Sequence, residues 1–285
     1  HNTPNWDTPD LKEGILNLPE DVANGFKSYY QWLFQPKPSI EPERMLSLLR
    51  EKQLTSRTSK TMEKTFTDRE ASVAIRSLAK GKSPGPDALP AEFYMEFESL
   101  IIDDFVRMVN EALKIGRFPE SFRDGVITVL YKKGDPREVR NYRPITLLNL
   151  DYKIFTKAMV NRLKPGMQEI VHKAQLGFVP DRVITEATHL LKLVQAAIDE
   201  DDEEGLIIAL DWEKAFDRVS WDFLHQATEA FGFGPKMRNI ISTMYNHNAP
   251  PTRTIRVNGV MSEPFNLHSG VPQGCPASPL IFLLV

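Results

Sequence analysis

Residues Leu206 to Trp221 read LIIALDWEKAFDRVSW: five apolar residues run directly into Asp211, and Phe216 and Asp217 follow shortly after. A short unbroken apolar run behind an acidic loop has the length and composition of a fully buried strand. That strand would end on a carboxylate. Such a group is costly at the end of a buried strand unless a cation, a set of donors or a metal ion lies beside it. Two readings therefore fit Asp211: an ion-binding carboxylate on a strand end, or the cap of a helix beginning near Glu213.

Working outward, Ser269 to Leu280 read SGVPQGCPASPL. Gly270, Pro272, Gly274, Pro276 and Pro279 exclude a regular helix or strand over its first half and predict a rigid turn, with a helix starting around Ala277. Backbone can approach a ligand closely in such a turn. Two further segments stand upstream: NYRPITLLN at Asn141 to Asn149 and QLGF at Gln175 to Phe178. In order and spacing these four segments resemble the reverse transcriptases of non-LTR (LINE-type) retrotransposons. The resemblance covers most of the chain from about Thr67 onward and includes the GKSPGPD segment at Gly81 to Asp87. DVANGFKSYYQWLF, Asp21 to Phe34, is similar to the segment that precedes the polymerase in that family; its own pattern is that of an amphipathic helix with aromatics.

The resemblance implies an α+β fold: a right-hand polymerase with fingers and an incomplete palm, the palm an antiparallel sheet backed by helices with Leu206 to Leu210 as its first central strand. It implies an RNA-directed DNA polymerase working by two-metal nucleotidyl transfer, with two Mg2+ ions as cofactors. Its partners would be an RNA template, a DNA primer and deoxynucleoside triphosphates, with no membrane, in an intracellular and by family nuclear setting. Hard oxygen ligands on a rigid strand end suit Mg2+. By resemblance Asp211 ligates both ions and the backbone carbonyl of Trp212 helps with one. The other two carboxylates come from an aromatic-Ala-Asp-Asp hairpin beyond the segment matching SGVPQG, which the sequence does not reach. Asp103 with Asp104, and Asp201 with Asp202, lack a strand-turn-strand setting and are no substitute. The 285 residues by themselves are thus expected to be inactive.

Phe216 matches the ring that lies against the sugar of the incoming nucleotide, where it would exclude a 2′-hydroxyl; its pattern alone fits ordinary core packing equally well. Lys132 to Arg143 carries five basic residues against two acidic ones, an excess suited to phosphate. By resemblance Arg143 grips the triphosphate with Lys132 or Lys133 assisting, although a basic hairpin is also an ordinary solvated face. Gln273 and Gly274 match the turn that places the nucleotide. Gln175 and Gly177 serve template contact or packing, and Asp217 is expected to pair with Lys214 or Arg218. Two rivals are a non-catalytic RNA-binding scaffold derived from a decayed polymerase and an RNA-templated RNA polymerase; Phe216 disfavours the second.

Residues 1–65, polar and rich in Pro, Ser and Thr, read as a linker carrying one amphipathic helix. Residues 66–200 would form the fingers and the fingers-palm connection, and residues 201–285 a partial palm with a hairpin at 252–265. Thr67 with Glu70 makes a capping box, with Ala71, Ala74, Ile75 and Leu78 on one helix face. Helices are expected at 101–115, 151–163, 184–198, 221–231 and 235–246, and a strand at 127–131 that turns through Lys132 to Pro136 and returns towards Arg143. Asn258-Gly259 predicts a two-residue hairpin turn. A net charge of -3 places any nucleic-acid contact in local patches. Cys275, the one cysteine, excludes an intramolecular disulfide. The apolar run from Leu280 to Val285 is too short for a membrane span. It is an unusual place for a native terminus, and the chain reads as a fragment.

Overall fold

The capping box at Thr67 forms: its side chain accepts from the Glu70 backbone while the Glu70 carboxylate accepts from the Thr67 backbone. The computed structural model describes residues 18–37, 42–200 and 204–285. Before the capping box come α1 (Pro19–Leu33), α2 (Pro42–Arg50) and α3 (Ser56–Met62). The box opens α4 (Asp68–Arg76), followed by α5 (Ala91–Glu96), α6 (Glu98–Ile115) and α7 (Glu120–Arg123). Strands β1 (Asp124–Tyr131) and β2 (Tyr142–Leu148) form the expected hairpin, then α8 (Leu150–Ile170), α9 (Thr185–Glu200), α10 (Trp221–Ala230) and α11 (Pro235–Met244) follow. Short strands β3 (Thr252–Val257), β4 (Val260–Met261) and β5 (Phe265–Asn266) precede α12 (Ser278–Phe282). The class is α+β.

The sheet runs β2-β1-β3-β4, with β5 also paired to β3. It is mixed, which corrects the antiparallel expectation: β1 is antiparallel to β2 and parallel to β3, with Asp124 opposite Thr252 and Thr128 opposite Arg256. A parallel pair needs a long crossover, and α8 to α11 supply it. Asn258 and Gly259 both take positive φ, +50° and +83°, as a two-residue turn requires. The returning arm pairs with β3 through Val260 and Met261 and again through β5, and Pro264, which has no N–H for a ladder, lies in the gap. Ser262 covers the break, donating its backbone N–H to Ile255 O and accepting from Ile255 N at its Oγ.

One large core, with a small second cluster of Leu46, Phe223, Ala227 and Ala230 between α2 and α10, holds the molecule together. Rings of Phe66, Phe105, Phe118, Phe122 and Phe155 meet at centroid distances of 5.1–6.2 Å between α4, α6, α7 and α8. The same core takes in Phe26, Tyr29, Tyr30 and Leu33 of α1, as well as Leu54 and Met62. The amphipathic helix expected in the segment read as a linker thus packs into this core. Amphipathic aromatic spacing gave the helix, but only tertiary contact could show that its face is buried.

The larger correction concerns 206–210. This run is extended but belongs to no strand, and Leu206 and Leu210 are 84% and 89% exposed. The edges of β1 are already taken by β2 and β3, and the outer edge of β2 bridges to Gln273. Among the described residues no strand pairs with 206–210, so the apolar run has nothing to cover it. α9, immediately upstream, likewise buries no residue.

Candidate functional site

The Ser269–Ser278 turn is held between two other segments by backbone. Gly270 N–H donates to Val219 O at 2.7 Å, Val271 N–H to Phe216 O at 2.8 Å, and Thr146 N–H to Gln273 O at 2.7 Å. Trp221 Nε1 adds a 2.8 Å bond to Gly270 O. Gly270 and Gly274 have φ of +81° and +129°, where an L side chain is strained. A Cβ on Gly274 would also overlap Thr146 O, and one on Gly270 would press on Asp217 O and the Phe34 ring. Close approach to β2 is thus the reason for glycine at 274.

Phe216 opens the one-turn 3-10 helix Phe216–Arg218 and is half-buried. Its ring stacks on Phe282 at 5.0 Å and meets Phe178 edge-on at 6.4 Å. Asp217, beside it, is only 1% exposed. Its expected pairing with Lys214 or Arg218 is not made. Asp217 Oδ1 accepts from Gln273 Nε2 at 2.9 Å and Oδ2 has no partner among the described residues. Burial pushes the Asp217 carboxyl up to about 6, opposed by the Gln273 hydrogen bond and by the charges of Lys214 and Arg218.

Lys214 is used elsewhere. With φ +55° it turns back so that Nζ donates to Arg140 O at 2.9 Å and Tyr142 O at 3.2 Å, 5.7 Å from the Tyr29 ring centre. Burial lowers its pKa. Tyr30 Oη donates to the same Tyr142 carbonyl at 3.2 Å. The loop after Asp211, helix α1 and the start of β2 are therefore tied at one point, next to Arg143. Arg137 and Arg140 are engaged by Asp135 and Glu138 at 2.7 and 3.4 Å. Arg143, Lys132 and Lys133 are exposed and form no ion pair among the described residues, so the net positive charge of the hairpin lies with them.

Asp211 and Trp212 stand apart from this cluster. Both are exposed, Trp212 at 77%, on the extended stretch that follows the uncovered run. Asp211 caps no helix either, since the 3-10 turn starts from Ala215 without a side-chain cap. One carboxylate and one carbonyl supply only two of the roughly six oxygens that Mg2+ takes. Among the described residues no group of three or more His, Cys, Asp or Glu could hold a metal ion. The donor set does not by itself fit a two-ion site. Gln175 and Gly177 lie in an exposed turn where Gln175 Nε2 donates to Gly177 O at 3.1 Å and Arg182 Nη1 donates to Gln175 O. Those contacts are internal to the turn.

Tyr30 and Phe178 were not singled out by sequence, and Lys214 was named only as a partner for Asp217, a role it does not take. Phe178 alone carries a local signal, a bulky residue following Gly177 that takes φ +64°; the other two act through backbone carbonyls more than seventy positions away, which no spacing reveals.

A family model described as reverse transcriptase (RNA-dependent DNA polymerase) matches residues 131–285, a span that holds every element of the cluster except α1. The transposon TX1 uncharacterized 149 kDa protein of Xenopus laevis is 36% identical over 270 residues, which is 94% of this chain and 20% of that protein. The probable RNA-directed DNA polymerase from transposon BS of Drosophila melanogaster is 30% identical over 213 residues, 73% of this chain and 23% of that protein. The RNA-directed DNA polymerase from mobile element jockey of the same fly is 27% identical over 215 residues, again 73% and 23%. The chain spans about a fifth to a quarter of the length of these relatives.

Proposed function

Since the chain belongs to the reverse transcriptase (RNA-dependent DNA polymerase) family, we propose that the cluster around Gln273 is the nucleotide side of an RNA-directed DNA polymerase site, working on an RNA template and a DNA primer. The observation that carries this reading is the convergence of two segments on one turn, Phe216 through Val271 and β2 through Gln273, beside the tie that Lys214 makes to the Arg140 and Tyr142 carbonyls just before Arg143. Each supplies a different part of a deoxynucleoside triphosphate site.

Arg143, exposed and unpaired, suits the triphosphate, where its guanidinium can make two parallel hydrogen bonds; Lys132 and Lys133 add charge without that geometry. Phe216, packed between Phe178 and Phe282, presents a ring to the sugar, and Gln273 with Gly274 positions the nucleotide from the other side. Asp211 with the Trp212 carbonyl would contribute oxygens to the divalent cations on which the family draws, here Mg2+. The β1-β2 hairpin would belong to the fingers and residues 204–285 to the palm.

Primer extension on an RNA template tests the reading. The whole protein should extend with deoxynucleotides. Arg143→Ala should raise KM for the nucleotide by on the order of tenfold or more, since a charge-assisted bond contributes about 1.5–3 kcal/mol. Asp211→Ala should abolish extension. The 285-residue chain alone is expected to give no product above a blank, and extension that survives Asp211→Ala would remove Asp211 from the site. Phe216→Ala separates a sugar gate from core. A gate variant admits ribonucleotides more readily, whereas loss of core packing lowers both activities and leaves their kcat/KM ratio unchanged.

A further inference from the structure

We propose that Asp217 is a positioning residue: it holds the Gln273 amide with the nitrogen turned inward, so that the amide oxygen is left as an acceptor for a hydroxyl on the sugar of the bound nucleotide. This deepens the polymerase reading and rests on it. An amide has a donor end and an acceptor end, so fixing one fixes the other. Gln273 Nε2 donates to Asp217 Oδ1 at 2.9 Å, while Oε1 accepts from no group among the described residues. The backbone of Gln273 is itself anchored, by the 2.7 Å bond from Thr146 N–H. A deoxynucleotide carries one sugar hydroxyl that can donate, on C3′, and an unpaired amide oxygen selects for it. The 3′-deoxy analogue leaves that oxygen without a donor.

The surroundings keep Asp217 dedicated to this task. Its side chain is buried, neither Lys214 nor Arg218 of its own loop pairs with it, and Oδ2 is unpartnered. Lys214 and Arg218 still favour the anion at a distance, whereas Tyr29 and Tyr30 of α1 sense Asp217 as like charge and are themselves pushed upward by burial, Tyr29 to about 12. Above about 6 the carboxylate is an acceptor only and demands the amide nitrogen. Below that, the protonated carboxyl has an O–H to donate and accommodates the reversed amide, which presents nitrogen instead of oxygen.

Two measurements decide the matter. In the folded chain, the side-chain amide resonances of Gln273 should shift as pH crosses about 6, and Asp217→Asn should flatten that response. An amide signal insensitive both to pH and to the substitution overturns the proposal, whatever the activity of the protein. In the whole protein, single-nucleotide incorporation should prefer a deoxynucleotide over its 3′-deoxy analogue. Asp217→Asn, whose own amide can donate to Gln273 Oε1, should cut the ratio of kcat/KM values by on the order of tenfold, as expected for one ordinary hydrogen bond. General loss of folding lowers both rates and leaves the ratio in place. Gln273→Ala distinguishes the two layers: if it leaves the preference intact, Gln273 does not read the sugar. If it removes the preference while Asp217→Asn retains it, the polymerase reading stands and the positioning role falls.

Discussion

The turn from Ser269 to Ser278 with its short helix, and the stretch from α9 through Asp211, are both rich in apolar residues, yet the first is buried and the second lies open. Val271, Leu280, Ile281 and Leu284 are at most 5% exposed, whereas Leu190, Leu193, Leu206 and Leu210 all exceed half. Hydrophobicity does not separate them. The first has β2 on one side and the Phe216–Val219 segment on the other, with backbone and side-chain hydrogen bonds fixing its path. The second has no strand or helix against it among the described residues. An apolar run states what a segment can bury; a neighbour decides whether it does.

The comparison predicts unequal sensitivity to mutation. The largest effect is expected at Trp221, fully buried and bonded to Gly270 O: Trp221→Ala should cost about 3–5 kcal/mol in denaturant unfolding, against less than about 0.5 kcal/mol for Leu193→Ala. Equal losses would mean that α9 is covered in solution. Gly274→Ala comes next, at about 1–3 kcal/mol from its left-handed backbone and the approach of Thr146 O. The same variant should weaken nucleotide binding through the displaced Gln273.

Smaller again is the pH dependence of Asp217. Its folded pKa is raised, so its contribution favours folding fully below its ordinary value of about 3.9 and is lost as pH rises through about 6. Asp217→Asn should therefore gain stability relative to the parent on going from acid to neutral pH, by on the order of 1 kcal/mol, in paired thermal melts. A constant difference across that range would show that the carboxyl is solvated. The smallest effect on folding is expected from Ile207→Ser with Ile208→Ser, within about 0.5 kcal/mol. Sedimentation should nevertheless show less self-association, because exposed apolar surface drives it; unchanged association would place the sticky surface elsewhere.

What the sequence made legible was local. The capping box at Thr67, the Asn258-Gly259 turn and the breaker pattern around Gly270 and Gly274 are each written in neighbouring residues, and each forms. The parallel β1-β3 pair is not local, and neither is the fate of Leu206 to Leu210, which depends on whether a partner strand lies beside it. Phe216 and Gln273 were named by motif, and the fold brings their segments together. The link between Asp217 and Gln273 was missed in favour of nearer cations, because charge at i+1 and i−3 looks closer on paper than an amide across the fold.

The β1-β3 ladder also sets an order of events during synthesis. β1 and β2 are adjacent and can close as soon as both have left the ribosome, but the far edge of β1 must wait for Thr252–Val257, with four helices translated in between. Until then a strand edge is open beside a growing apolar chain, the circumstance in which slow, non-local pairing competes with aggregation. A nascent polypeptide stalled just before Thr252 should accordingly be the species most strongly held by chaperones.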